Sequence, residues 1–230
     1  MIEIGHASHT GLRRECNEDT YWADAELGLF LVVDGIGGPG RGEAAAAIAR
    51  DALVGAARRG GSLEPAVRDA GAAIAAFASR TAEHSPTGAT LASLRIDGGR
   101  FEAARIGDAR IYLWQHGDLT PLCVTDPAPS SDRGAADPAG AIPKRNRITQ
   151  ALGITPAAEL DAAPVQAAFE RGMQFLLCSD GLTEELDERE LAAMLARGDL
   201  AAQECVDQLL LAALDAGGRD NVSIVLVRVS

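Results

Sequence analysis

Apolar runs of strand length cluster together in this chain, and the helical stretches between them come in pairs. That grouping constrains the fold more than any other feature. Residues 28–33 (GLFLVV) read as a buried strand that ends at Asp34. After a glycine-rich turn, the Ala-rich stretch 42–58 carries Ile48, Leu53 and Val54 at helical spacing. The stretch 62–81 then repeats Leu63, Val67, Ala70, Ile74 and Phe77 every three or four residues. Strands follow one another at about 88–96, 100–106 and 109–114, with His116-Gly117-Asp118 as a hairpin turn. Strand-like runs return at about 162–169 and 173–178. A helix pair follows at about 187–196 and 200–215, and 222–229 (VSIVLVRV) closes the chain as a strand. A doubly wound sheet needs strands and helices to alternate singly, so this order predicts an α+β layered sandwich. No repeat and no dividing linker interrupts the pattern, which predicts one domain over residues 1–230. The Pro-, Gly-, Ala- and Ser-rich run 127–143 (PAPSSDRGAADPAGAIP) has the composition of a mobile surface segment.

A hydrophobic content of 47% suffices for a substantial core, and with only 4% aromatic residues that core must be packed by aliphatic side chains and alanine. The formal net charge of −12, from 33 acidic against 21 basic residues, repels nucleic acid and anionic lipid alike. The opening MIEIGHASHTGLRRE lacks the apolar core of a signal peptide. No apolar run approaches the roughly 18 residues of a membrane span. Cys16, Cys123, Cys178 and Cys205 are far apart and form no CxxC pair, so neither a zinc site nor a disulfide framework is expected. Cys123 and Cys178, set among Leu and Val, read as small buried hydrophobes. A reducing cytoplasm is the expected location.

The chemistry is carried by aspartates. Twice an Asp stands after an apolar strand run and before Gly: Asp34-Gly35 and Asp180-Gly181. Asp220 lies in the loop GGRDN just before the last strand, and Asn17-Glu18-Asp19 add an acidic segment near the start. Carboxylates at strand ends, beside glycines that allow close backbone approach, suit a hard cation bound through oxygen. Crowding several of them is unfavourable unless cations sit between them. A plain turn remains the competing reading of each Asp-Gly. The chain has no CxxxxxR nucleophile signature, and Gly35–Gly42 lacks the GxxxxGK[ST] order of a nucleotide cradle.

The order of eight segments is similar to that of the PPM-type (protein phosphatase 2C) family, in particular its small bacterial single-domain members. These are GLRRECNED (11–19), VVDGIGGPGRGE (32–43), TGATL (87–91), RIGDARIY (105–112), VTD (124–126), RNRITQALG (145–153), CSDGL (178–182) and GGRDNVSIV (217–225). The resemblance implies a four-layer α/β/β/α sandwich, with two central antiparallel sheets flanked by helix pairs. It implies a serine/threonine protein phosphatase that hydrolyses phosphoserine and phosphothreonine by attack of a water bridging two Mn²⁺ or Mg²⁺ ions, without a phosphoenzyme.

On this resemblance Asp34 bridges two metals and the Gly35 carbonyl binds one of them. Asp180 and Asp220 complete the other site, and Glu18 and Asp19 act mainly through metal-bound waters. Arg14 matches the phosphate-binding arginine, a planar fork suited to bidentate contact. A weaker third metal would lie between Asp180 and Asp126, whose usual following His is here Pro127. Asp108, Thr87 and Thr90 are expected to be structural, and Asn221 to support the neighbouring metal loop. Ile36 stands where eukaryotic members carry a His, and His6, His9, His84 and His116 match no catalytic position. The flap after Asp126, at about 127–146, is shorter and simpler in composition than is usual. Expected partners are the phosphorylated targets of a Ser/Thr kinase, with no nucleic acid, no membrane and a monomeric chain. A pseudophosphatase module would lack metal carboxylates, which this chain keeps. A metal-dependent nuclease would need the basic stripe that it lacks.

Overall fold

The computed structural model describes residues 1–80, 86–123 and 150–230. One five-stranded antiparallel sheet runs in the order β2 (Asp19–Asp24), β3 (Leu29–Ile36), β4 (Gly88–Asp97), β5 (Arg100–Ile106), β8 (Val165–Ala168). The other runs β1 (Ile2–His9), β10 (Val222–Val229), β9 (Gln174–Cys178), β6 (Arg110–Gln115), β7 (Asp118–Pro121). Helices α1 (Arg41–Arg58) and α2 (Leu63–Ala78) cover the first sheet. The short α3 (Asp180–Thr183) and the pair α4 (Glu188–Leu195) and α5 (Ala202–Ala216) cover the second.

Side-chain alternation builds the layers. Along β3, Leu29, Leu31 and Val33 face the helix layer, while Phe30 and Val32 face the opposite sheet. All five are fully buried, which is why this strand reads as a continuous apolar run. In β9, Phe175 and Leu177 meet the first sheet, whereas Leu176 and Cys178 pack on α4 and α5. Phe101 and Phe175 meet edge to face at 4.9 Å in the middle layer. Elsewhere small residues do the packing: Ala45, Ala46, Ala49 and Ala57 let α1 lie close against its sheet.

The same parity turns polar at one end of the sandwich. The inter-sheet positions of β1 (Ile2, Ile4), β2 (Tyr21, Ala23), β3 (Phe30, Val32), β4 (Ala92, Leu94), β9 and β10 (Val225, Val227) are apolar. Continued in register, those rows reach Ser8, Asp19, Asp34, Thr90, Ser179 and Ser223. A polar end to the central layer, carrying Asp19 and Asp34, follows from strand period combined with this register.

The layered α+β architecture is as expected from the sequence. Strands β1 and β2 were not marked by the periodicity, because the outward positions of β1 are polar or small (Glu3, Gly5, Ala7, His9) and β2 is half-buried along its length. The hairpin at His116 is a two-residue turn, with Gln115 paired to Asp118 and both turn residues at positive φ (54° and 93°). Expectations for Asp126, the 127–146 flap and His84 fall outside the described residues.

Candidate metal centre

Asp34 sits between Asp19 on β2 and Thr90 on β4, directly opposite both in register. One carboxylate oxygen each from Asp34, Asp108 and Asp180 lie within 4.8 Å of one another. Asp108 comes from the turn after β5, and Asp180 opens α3 at the end of β9. The sequence reads Asp108 as structural, because it and Arg110 start a strand and a loop hydrogen bond suits it there. Its carboxylate instead joins the cluster, and register across two sheets puts it there.

Neither Asp-Gly is a turn that requires positive φ. Gly35 lies inside β3 and Gly181 inside α3, and both have negative φ. They are glycines because of close approach. A Cβ on Gly35 would lie 2.1 Å from the Gly42 carbonyl oxygen, and one on Gly181 would lie 2.0 Å from that of Asn221. Each glycine lets a second segment close on the aspartate it follows. At Gly35 the other segment is the start of α1. At Gly181 it is the loop that holds Asp220.

Asn221 ties that loop to the N-terminal segment. Its side chain donates to the carbonyls of Thr10 and Cys16 (2.8 and 2.9 Å) and accepts from the Glu18 amide (2.8 Å). Its own amide donates to Asp220 Oδ1 at 2.8 Å. The expected supporting role is thus a hub that places Glu18 and Asp220 together. Below the cluster, the Ser179 hydroxyl donates to Asp19 Oδ2 at 2.8 Å and accepts the Ser223 amide at 2.9 Å. Ser179 was missed in the sequence. The signal was available: a serine in the inter-sheet row of a strand otherwise built from Phe and Leu.

Electrostatics report the crowding. Desolvation, then the neighbouring Asp19 and Asp180, raise the Asp34 carboxyl well above the ordinary carboxylate range. Burial, reinforced by Asp108 and Glu184, pushes Asp180 up to about 7. Asp19 rises to about 6, chiefly through burial, and Glu18 is raised by the same cause. Asp19 Oδ1 is buried without a hydrogen-bond donor among the described residues. Oxygen-only donors, mutually repelling and partly lacking donors, are the composition of a hard divalent-cation site. The residues fit Mn²⁺ or Mg²⁺.

A pocket of about 480 Å³ opens over this set, lined among others by Arg14, Cys16, Glu18, Asp34, Asp180 and Asp220. Arg14 stands half-exposed at its edge, with Nη2 2.6 Å from Asp220 Oδ2. Its guanidinium is therefore the cation beside the acidic cluster, and the Asp220 contact strengthens its hold on the proton. The structure thus gathers Arg14, Glu18, Asp19, Asp34, Gly35, Asp180 and Asp220 in one place. His6 stacks on Tyr21 and His9 accepts the Gly11 amide, so both are structural, as expected.

The family model described as "Protein phosphatase 2C" matches residues 7–215. The chain belongs to the protein phosphatase 2C family. It is 32% identical over 239 residues to the serine/threonine protein phosphatase PstP of Mycobacterium tuberculosis, an alignment covering 100% of this chain and 45% of PstP. The chain therefore spans just under half the length of that curated relative. It is 26% identical to the serine/threonine phosphatase stp of Listeria monocytogenes, covering 86% of this chain and 83% of that protein. Among solved structures, the catalytic domain of PstP in complex with two manganese ions superposes with a TM-score of 0.84 at 30% identity, covering 100% of this chain and 99% of that one. A second PstP crystal structure gives a TM-score of 0.85.

Proposed function

We propose that this chain is a metal-dependent protein phosphatase that hydrolyses phosphoserine and phosphothreonine in phosphoproteins. One observation carries the reading: three carboxylates from three separate elements converge within 4.8 Å beneath a pocket edged by an arginine. Asp34, the Gly35 carbonyl, Asp180 and Asp220, with Glu18 and Asp19 behind them, would hold two Mn²⁺ or Mg²⁺ ions. When bound, such ions activate a water and neutralise charge on a transferring phosphoryl group.

The protein's own groups do the rest. Arg14 is placed to turn from Asp220 toward a phosphate in the pocket and orient it. Asn221 keeps Glu18 and Asp220 in register, and Ser179 fixes Asp19. A weaker third cation is part of the proposal. Asp126 is outside the described residues, and Asp108 is a described carboxylate that stands, with Asp34, beside Asp180. The kinase that supplies the substrates, the cytoplasmic location, the monomeric state and the treatment of residues 1–230 as one catalytic domain belong to the same proposal.

The test is hydrolysis of a phosphothreonine peptide, with an aryl phosphate and a single-stranded oligonucleotide assayed in parallel. Mn²⁺-dependent release of phosphate from the first two, abolished by EDTA and by Asp34→Asn, is the expected result. Cleavage of the oligonucleotide alone would favour a nuclease, and phosphopeptide binding without turnover would favour a pseudophosphatase.

A further inference from the structure

Glu185 follows Asp180 by five residues, just beyond the end of α3. Among the described residues its carboxylate bonds to one residue of the Asp220 loop. Oε1 accepts both the backbone amide and Nε of Arg219, each at 2.9 Å, and Oε2 accepts Nη2 at 2.9 Å. The Glu185 side chain is 1% exposed, whereas that of Arg219 is 65% exposed. The guanidinium thus covers the acid, and the acid is the buried anchor.

The loop is shaped for this contact. Gly217 and Gly218 have φ of 155° and 52°, and a Cβ on Gly217 would fall 3.1 Å from Glu185 Oε2. On the other side, the Leu12 amide donates to the Gly218 carbonyl at 2.7 Å. The loop is therefore fixed from two directions, by the N-terminal segment and by the turn that carries Asp180.

We propose that Glu185 is a positioning residue for metal binding: it fixes the Gly217–Asp220 loop against α3 and so sets the spacing of Asp180 and Asp220. The proposal rests on reading those two aspartates as metal ligands. Glu185 touches neither cation nor substrate. It acts through Arg219, whose backbone amide lies one residue before Asp220. A bidentate carboxylate–guanidinium pair with a further amide bond holds geometry better than an ordinary surface ion pair. Partners that orient metal ligands cost about 10- to 100-fold in metal affinity when removed. Losing Glu185 also removes the hydrogen-bond partner of the Arg219 guanidinium, leaving it the electrostatic attraction of Glu184.

The experiment is Mn²⁺ titration calorimetry on the whole chain, paired with thermal unfolding in EDTA. Glu185→Ala should bind Mn²⁺ about tenfold or more weakly. Glu185→Gln, whose one amide oxygen can keep the two bonds made to Oε1 but not the Nη2 bond, should recover part of that loss. Arg219→Ala keeps the amide bond and should lose less than Glu185→Ala. A Glu185→Ala protein whose Mn²⁺ affinity stays within twofold of the parent overturns the proposal, whatever happens to its Tm. Asp220→Asn is the control on the underlying assignment. If it too leaves Mn²⁺ binding unchanged, the ligand assignment has failed. If it abolishes binding while Glu185→Ala does not, only the positioning role is lost.

Discussion

Replacing Asp34 with Asn should make the protein more stable without metal and less stable with it. Asp34 has two carboxylates, Asp108 and Asp180, within 4.8 Å. At that separation and an effective dielectric of about 20, each ionised pair costs about 3.5 kcal/mol. The full sum of about 7 kcal/mol is an upper bound, because the raised Asp34 carboxyl takes up a proton and relieves part of the repulsion. Each kcal/mol that remains at pH 8 corresponds to a rise in Tm of about 2–4 °C for a chain of this size.

The sign follows from linkage. A carboxyl raised above its ordinary 3.8 contributes stability that is present at acid pH and lost as pH rises through the raised value. The advantage of Asp34→Asn in EDTA should therefore grow from pH 5 to pH 8 and vanish near pH 4. Excess Mn²⁺ should reverse the order, because a ligand at about a hundredfold its Kd adds about 2.7 kcal/mol to the parent alone. Thermal unfolding of both proteins across pH, with EDTA and with Mn²⁺, is the assay. An Asp34→Asn protein that melts at or below the parent in EDTA at pH 8 would refute the crowding argument.

Arg14→Ala should lower kcat/KM roughly ten- to a hundredfold, from about 1.5–3 kcal/mol of lost phosphate contact, with Mn²⁺ binding retained by calorimetry. Greatly weakened metal binding would contradict that role. Mn²⁺ affinity should fall as pH drops below about 7, where a proton competes for Asp180; a flat response between pH 5.5 and 8 would contradict it. Asp108→Asn and Asp126→Ala, compared at micromolar and millimolar Mn²⁺, should identify the carboxylate of the weak third site as the one whose loss removes activation by high metal. Phe175→Ala, at a fully buried position against Phe101, should cost about 3–5 kcal/mol in urea unfolding, and a loss under 1 kcal/mol would mean the middle layer is not packed as described.

The layered architecture was legible in the sequence because strand and helix periods are local. Leu29 to Val33 and Val222 to Val229 announce themselves by apolar content, and α1 and α2 by their 3.6-residue rhythm. Strands β1 and β2 did not, since a half-exposed edge strand has no strong alternation to read. The residues Asp34, Asp180 and Asp220 were also legible, because each ends or precedes an apolar run, although β3 continues past Asp34 to Ile36. What a one-dimensional pattern could not decide was which termini meet. Asp108 joins Asp34 and Asp180 only because β5 and β9, on different sheets, end at the same edge of the sandwich. Gly35 and Gly181 look like turn residues in the sequence, yet they are glycines because backbone of another segment, at Gly42 and at Asn221, occupies the space a Cβ would need. Ser179 and Glu185 gain their roles from partners 160 and 34 residues away. The sequence by itself determined the elements and the chemical type of the centre, because those depend on local periodicity and residue chemistry. The tertiary structure alone decided the membership and spacing of the cluster, because those depend on register between strands that no local pattern encodes.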